Sequence, residues 1–242
     1  MTAERSFQVR TKKFIVLDVE GMNGERPYNI GYIIADRTGK IYKKHSFALP
    51  CCIWENIAES LRIGQAVEMT KKTVQEILAD ADKPRRKRKY KSVSISEFTK
   101  QFTKEIERYK IKRIFAYNVQ FDKKAIYNLI GENAFNNLHV QWCDIVSGIL
   151  TTKLLTKRYI RWCFTNGFIT PTGIASYKAE VVYRYLTGNL NFVEEHTGLE
   201  DVLIEFEILL SAFKTHKPLD FSPCCAWQRL KKFAKENGLS AG

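Results

Sequence analysis

Two carboxylates interrupt an apolar run where carboxylates are costly. Phe14-Ile15-Val16-Leu17-Asp18-Val19-Glu20 is rich in β-branched residues and bounded by Gly21, the pattern of a buried strand. Successive strand side chains alternate between faces, so Asp18 and Glu20 point one way and Val19 the other. An ionised carboxylate in a sheet centre must be paired or bound to a metal. A structural ion pair with Lys or Arg would satisfy that demand. So would Mg²⁺ or Mn²⁺, for which two hard oxygen donors on a rigid strand are suited.

A second acid repeats the theme. Asp122 follows Ile114-Phe115-Ala116-Tyr117-Asn118 and so falls just past the carboxyl end of a predicted strand, where sites in open α/β sheets collect. An Asp at a helix start is also a common cap. The third element is His196-Thr197-Gly198-Leu199-Glu200-Asp201. On an ideal helix, residues five apart stand about 140° apart around the axis. His196 and Asp201 can therefore converge only if His196 lies in the loop before the helix. A lone histidine there would otherwise be an ordinary packing or surface residue.

Stepping outward to the elements, strands are predicted at 14–20, 28–35 and 40–49, with a hairpin-type turn at Asp36-Arg37-Thr38-Gly39. Residues 50–92 are polar and charged with patchy periodicity and read as an insertion. A helix over 95–109, with Ser96 as cap candidate, precedes a strand at 111–117, a helix at 123–130 and a short strand at 138–142. Further helices are predicted at 175–186 and at 199–213, where Leu199, Val202, Leu203, Phe206, Leu209, Leu210 and Phe213 form the apolar side. A basic helix at 226–235 follows Pro218 and Pro223. Antiparallel strands followed by strand–helix alternation predict an α/β domain: a mixed five-stranded sheet with helices on both faces, compatible with a ribonuclease H-like fold. The expected division is a domain over 1–216, containing the insertion at about 50–92, and a C-terminal basic helical extension over 217–242.

Composition narrows the function classes. The 242 residues carry a net charge of +13, with 45% apolar and 12% aromatic residues, which implies a globular chain with a sizeable core. No apolar run approaches the length of a membrane span, and Phe14–Leu17 is too short for a secretory h-region. The expectation is a soluble, cytoplasmic protein without a membrane partner. Six cysteines are too sparse for a disulfide scaffold, and neither CxxC nor paired histidines at zinc spacing occur. The absence of GxGxxG and GxxxxGK[ST] removes dinucleotide and P-loop readings. The charge points to a polyanionic partner. Seven of the basic residues lie in Lys83-Pro84-Arg85-Arg86-Lys87-Arg88-Lys89-Tyr90-Lys91, which contains no acid. That run reads equally as a solvated, self-repelling loop or as a nucleic-acid arm.

Asp-x-Glu on a first strand, Asn-x-x-Phe-Asp after a later one and His-x-x-x-x-Asp opening a late helix together resemble the DEDDh 3′→5′ exonucleases. That family includes ribonuclease T, oligoribonuclease and the proofreading epsilon subunit of bacterial DNA polymerase III. The resemblance covers about residues 13–214, in the family's order and spacing. It implies catalytic residues Asp18, Glu20, Asp122, His196 and Asp201, with the four carboxylates holding two divalent cations, Mg²⁺ or Mn²⁺. Asp18 would bridge both ions, Glu20 and Asp201 would complete one site, and Asp122 would help hold the second. His196 would be the general base for the attacking water. The implied reaction releases nucleoside 5′-monophosphates from a single-stranded 3′ end.

Gly21 and Met22 would by resemblance line the pocket of the terminal nucleotide, with Asn118 and Phe121 as further substrate-binding candidates. Lys153, Lys157, Arg158 and Arg161, interleaved with Tyr159 and Trp162, could guide the strand by charge and stacking or form a solvated helix face. Three features depart from the family: Tyr117 where many relatives carry His, Gly198 where Ala is frequent, and the length of 50–92. Asp144 matches a recurrent family Asp that is not a metal ligand. The motif residues do not separate DNA from RNA, a choice that turns on one 2′-hydroxyl. Several relatives dimerise, so a homodimer is compatible. A non-catalytic nucleic-acid-binding module and a polymerase-bound proofreading subunit, docked through 226–235, are the rival readings. An endonuclease is the rival within the enzyme class.

Overall fold

The structure is a computed structural model and describes residues 12–22, 26–53, 75–150, 157–194, 196–215, 219–222, 232 and 235. The run around Asp18 forms β1 (Lys13–Met22), antiparallel to β2 (Arg26–Asp36), which is antiparallel to β3 (Ile41–Ala48). The β2–β3 turn is closed by the Asp36 carboxylate, which accepts the Thr38 N–H at 2.9 Å. Beyond β3 lies a parallel strand of two residues, β4 (Lys91–Ser92). On its other side β1 pairs in parallel with β5 (Arg113–Ala116), and β5 with β6 (Gln141–Asp144). The sheet therefore has six strands in the order β4-β3-β2-β1-β5-β6, not the five expected. The tail of the 50–92 segment supplies the extra strand by pairing with backbone groups at the β3 edge, which would otherwise be unpaired.

Parallel neighbours require crossovers, and helices supply them. α1 (Ile95–Tyr109) leads from β4 to β5, and α2 (Gln120–Ile130) and α3 (Glu132–Asn136) lead from β5 to β6. After β6 come α4 (Ile145–Leu150), α5 (Lys157–Thr165), α6 (Ala179–Thr187) and α7 (Gly198–Phe213). Ile15, Leu17 and Val19 of β1 pack with Phe98, Phe102, Ala125, Ile126 and Phe135 on the α1–α3 side. Phe14 and Val16 pack on the opposite side with residues of α4–α7. This is an α/β domain of three layers with an open, mixed sheet. Asp18 and Glu20 continue the face of Phe14 and Val16, so they meet α7.

Several local expectations shift for identifiable reasons. The cap of α1 is Ser94, not Ser96. The Ser94 hydroxyl accepts the Glu97 N–H at 3.2 Å while the Glu97 carboxylate accepts the Ser94 N–H at 2.8 Å, a reciprocal capping box. The helix expected from 175 begins at Ala179 because Ala175 bridges Ile169 and the Ser176 N–H donates to the Phe168 carbonyl. Of the 50–92 segment, Cys52, Ile53, Ile77 and Tyr90 are buried in the core with residues of α1, and 54–74 lie outside the described residues. Of the basic extension only Lys232 and Lys235 are described, so the docking helix expected at 226–235 falls outside the described residues. Among the described residues, no helix is long and apolar enough to cross a membrane.

The seating of α7 decides what the acids face. Across the β1–β2 ladder Asp18 stands opposite Gly31 and Glu20 opposite Asn29. A Cβ at Gly31 would lie 2.0 Å from the Gly198 carbonyl carbon and 2.1 Å from the Leu199 nitrogen. A Cβ at Gly198 would lie 2.5 Å from the Gly31 nitrogen and 3.1 Å from the Asp18 carbonyl oxygen. Here backbone meets backbone, which explains why 198 is glycine in this chain. The buried Asn29 side chain secures the contact: its Oδ1 accepts the Gly198 N–H at 2.8 Å, and its Nδ2 donates to the Phe47 carbonyl at 2.7 Å. Gly31→Ala should lower the denaturant midpoint by the equivalent of roughly 1–3 kcal/mol or more, because no flexible side chain is there to yield. A wild-type midpoint in that variant would mean that α7 is not seated on β2 in this way.

Candidate metal centre

One carboxylate oxygen from each of Asp18, Glu20 and Asp201 lies within 4.8 Å of the others. β1 contributes the first two from its even-numbered face. Its register slips between Glu20 and Gly21, the kind of bulge that ends pairing and re-aims side chains beside sites. Asp201 comes from the first turn of α7, where the Asp201 N–H donates to the Thr197 carbonyl at 3.0 Å. A negative side chain there is favoured by the positive end of the helix dipole.

Asp122 enters from the β5–α2 junction. α2 has no side-chain cap at Val119, and the Asp122 carboxylate in its first turn meets its own backbone N–H. It is buried, and the Val19 backbone N–H lies against its carboxylate. It stands outside the 4.8 Å trio, yet its charge is felt by Asp18. The junction is held by Asp144, whose Oδ1 accepts the N–H groups of Asn118 and Val146, each at 3.2 Å, and whose Oδ2 accepts the Ser147 hydroxyl at 2.8 Å. Asp144 is thus a positioning residue for the loop that delivers Asp122. Asn118 sits at φ 61° with its side chain exposed, whereas Phe121 packs partly against the core.

The acids raise one another's proton affinity. Burial, then the charges of Glu205, Glu20, Asp122 and Asp201, drive Asp18 well above the ordinary carboxylate range. Burial pushes Glu20 to about 7, opposed by a hydrogen bond with Asp201. Burial, then Glu194 and Glu20, push Asp201 to about 9. Asp122 is also raised well above its usual range, by burial first. Carboxylates that converge without donors must take up protons or cations.

The residues fit a divalent cation. Asp18 Oδ2, Asp122 Oδ1 and Asp201 Oδ1 are buried and have no hydrogen-bond partner. An acceptor stranded in that way costs free energy that a cation would offset. The donors are all oxygen, which suits Mg²⁺ or Mn²⁺. Asp18, Glu20 and Asp201 could hold one ion, and Asp18 with Asp122 a second.

His196 lies in the loop before α7 at φ 55°, part-exposed, with Nδ1 3.9 Å from Glu194 Oε2. That loop is tied to α6. Arg184 donates from Nε to the Phe192 carbonyl at 2.7 Å and from a terminal nitrogen to Glu180 Oε1 at 2.6 Å. The Glu194 N–H also reaches Glu180 Oε1, at 3.4 Å. Burial, then the charges of Glu180 and Glu20, push Glu194 up to about 7.

Two acids were not singled out from the sequence. Glu205 is buried four residues after Asp201, and its Oε2 has no hydrogen-bond partner. Burial, then Asp122 and Asp201, drive it toward the neutral acid. Its signal was a charged residue on the buried stripe of α7, beside Val202 and Leu209. Glu194, in an irregular loop, carried no periodic signal. In the other direction, Tyr159 is fully buried and cannot stack on a base, and Trp162 packs against the same core. Lys157, Arg158 and Arg161 are exposed, while Lys153 lies outside the described residues. Gly21 follows the bulge at the end of β1, and the Met22 side chain lies outside what is described.

A cation must displace the protons these acids hold. In the metal-free protein Glu20 and Asp201 have raised affinities, so the stability they lend is complete below about pH 4 and is lost as pH rises through about 7 and about 9. The rise in melting temperature on adding Mg²⁺ should therefore be small near pH 5 and grow toward about pH 8. Asp18→Asn should abolish it. A shift independent of pH, or one that survives in Asp18→Asn, would place the ion elsewhere.

A scan against protein-family models finds no match to this sequence, and a search of curated proteins finds none either.

Proposed function

We propose that this chain is a metal-dependent 3′→5′ exonuclease of the DEDDh type, built on a ribonuclease H-like fold, that hydrolyses single-stranded nucleic acid to nucleoside 5′-monophosphates. The observation that carries the reading is the convergence of Asp18, Glu20 and Asp201, with Asp122 beside them, in which Asp18, Asp122 and Asp201 each keep a buried oxygen without a donor. A structural ion pair, the other way to place acids in a sheet, would bring a Lys or Arg to these oxygens. Instead their strongest electrostatic neighbours are other acids. The antiparallel meander on one side of β1 and the parallel strands on the other support the fold reading.

Two divalent cations, when bound, would supply positive charge for the developing phosphorane oxygens and lower the cost of ionising the attacking water. The four carboxylates would fix those ions, and their −4 charge matches two dications. Water oxygen attacks the terminal phosphorus, the bond from phosphorus to the 3′ oxygen breaks, and the leaving 3′ oxygen takes a proton from solvent water, so the shortened strand ends in a 3′-hydroxyl. The water proton goes to a ring nitrogen of His196, which acts only in its neutral form, so the rate falls toward acid pH. Glu194, 3.9 Å from Nδ1, would favour the tautomer with a proton on Nδ1 and steady the imidazolium that forms. The Arg184–Glu180 anchor would hold the loop while the proton moves.

Single strands of DNA and RNA labelled at the 3′ or the 5′ end, incubated with Mn²⁺ or with EDTA, test the proposal directly. Metal-dependent loss of 3′ label as mononucleotide is expected, with a ladder from 5′-labelled strands. Cleavage of a covalently closed strand would instead indicate an endonuclease. His196→Ala should lower kcat by roughly 10²–10⁴-fold while keeping the cation-induced rise in melting temperature. Unchanged kcat would remove His196 from the mechanism.

A further inference from the structure

The basic run at 83–91 is not a self-repelling tether. Asp80, buried in the structure, accepts the Tyr90 N–H on Oδ2 at 2.9 Å and faces Lys83 Nζ from Oδ1 at 3.1 Å. Between those points the chain makes a 3₁₀ turn, Arg85–Lys87, with the Lys87 N–H donating to the Pro84 carbonyl at 2.7 Å. Arg88 Nε donates back to the Lys83 carbonyl at 2.9 Å, which closes the loop. Tyr90 is buried in the core, and Lys91 begins β4. One buried acid, one buried ring and a sheet pairing thus oppose the mutual repulsion of the cations. The loop is organised before anything binds it.

Its far end reaches the helix that carries Asp201. Lys89 Nζ lies 2.6 Å from Glu200 Oε1, in the first turn of α7. Glu200 is the chain neighbour of Asp201, and its charge is among those that Asp201 feels. Arg86, Lys87 and Arg88 are exposed. A preorganised cationic loop next to a phosphodiester-cleaving site is complementary to a polyanion, and ordering it beforehand removes part of the entropic cost of binding.

We infer that residues 80–91 form a preorganised arm that binds backbone phosphates of the single strand whose 3′ end lies in the carboxylate site. Asp80 is its internal anchor, and the Lys89–Glu200 pair fixes it to α7. The inference rests on the exonuclease reading of that site.

The test uses the full chain carrying Asp18→Asn to halt cleavage, with a dye-labelled single-stranded oligonucleotide followed by fluorescence anisotropy over a salt series. Arg86→Gln with Lys87→Gln removes two exposed charges and should leave the melting temperature unchanged. It should also reduce the slope of log Kobs against log salt by about 1.4, at about 0.7 per phosphate contact on a single strand. An unchanged slope overturns the inference. Asp80→Ala makes the protein more positive, so charge alone predicts tighter binding. The anchor predicts weaker binding, and tighter or equal binding overturns it. Should Asp80→Ala fail to fold, the salt slope of the double variant decides. Metal-dependent cleavage by the wild-type chain together with an unchanged slope sinks the arm alone. If neither DNA nor RNA is bound or cleaved, the exonuclease reading fails and the arm fails with it.

Discussion

The backbone of α7 touches the backbone of β2 at Gly31 and Gly198, with Asn29 bridging the two. Side chains normally hold a helix away from the backbone of the sheet it packs on, whereas here α7 comes into backbone contact and Asp201 shares a site with Asp18 and Glu20. Two glycines facing each other remove the spacer. The residues opposite the two acids in the ladder are the ones that seat the helix, Gly31 across from Asp18 and Asn29 across from Glu20. The strand that carries the acids and the strand that admits the helix therefore form one unit. A change in either would be felt at the cluster.

Buried carboxylates in this molecule fall into two groups. Asp80 and Asp144, and with them the half-buried Glu105, each meet donors. Asp144 accepts from two backbone amides and a hydroxyl, Asp80 meets Tyr90 and Lys83, and Glu105 accepts from Tyr32 at 2.7 Å and faces His45 at 3.1 Å. These acids hold the structure together. Asp18, Asp122, Asp201 and Glu205 each keep a buried oxygen without a donor and face one another. Satisfied acids act as anchors, whereas unsatisfied ones must take up protons or cations, and that difference separates scaffold from site more clearly than burial does. Glu205 adds a further acid to the cluster, so the electrostatic demand is greater than that of Asp18, Glu20, Asp122 and Asp201 alone.

The charge is distributed to match. A chain of net charge +13 brings Asp18, Glu20, Asp122, Asp201 and Glu205 together and sets a cationic loop against the helix that completes the cluster. Lys89 pairs with Glu200, so positive charge lies on the same helix turn as Asp201. Phosphates arriving along the loop would meet an acid cluster that repels them unless cations intervene. On the exonuclease function we propose, recognition of the strand and retention of cations would be coupled.

Period and type already determined much from the chain itself: the alternation that puts Asp18 and Glu20 on one face, the apolar stripe of the last helix and the α/β order of elements. These are local properties, set by backbone stereochemistry and by where apolar side chains recur. Other features arise only when distant segments meet. The sixth strand depends on Lys91–Ser92 finding the β3 edge, and the capping role of Ser94 over Ser96 depends on where α1 starts. Tyr159 becomes core and Glu205 joins the acids because α5 and α7 pack against the sheet. The basic run reads the same whether solvated or anchored until Asp80 and Glu200 come within reach of Tyr90 and Lys89. Residue types and spacing are written along one dimension, whereas burial and ion pairing depend on distances that only the folded chain defines.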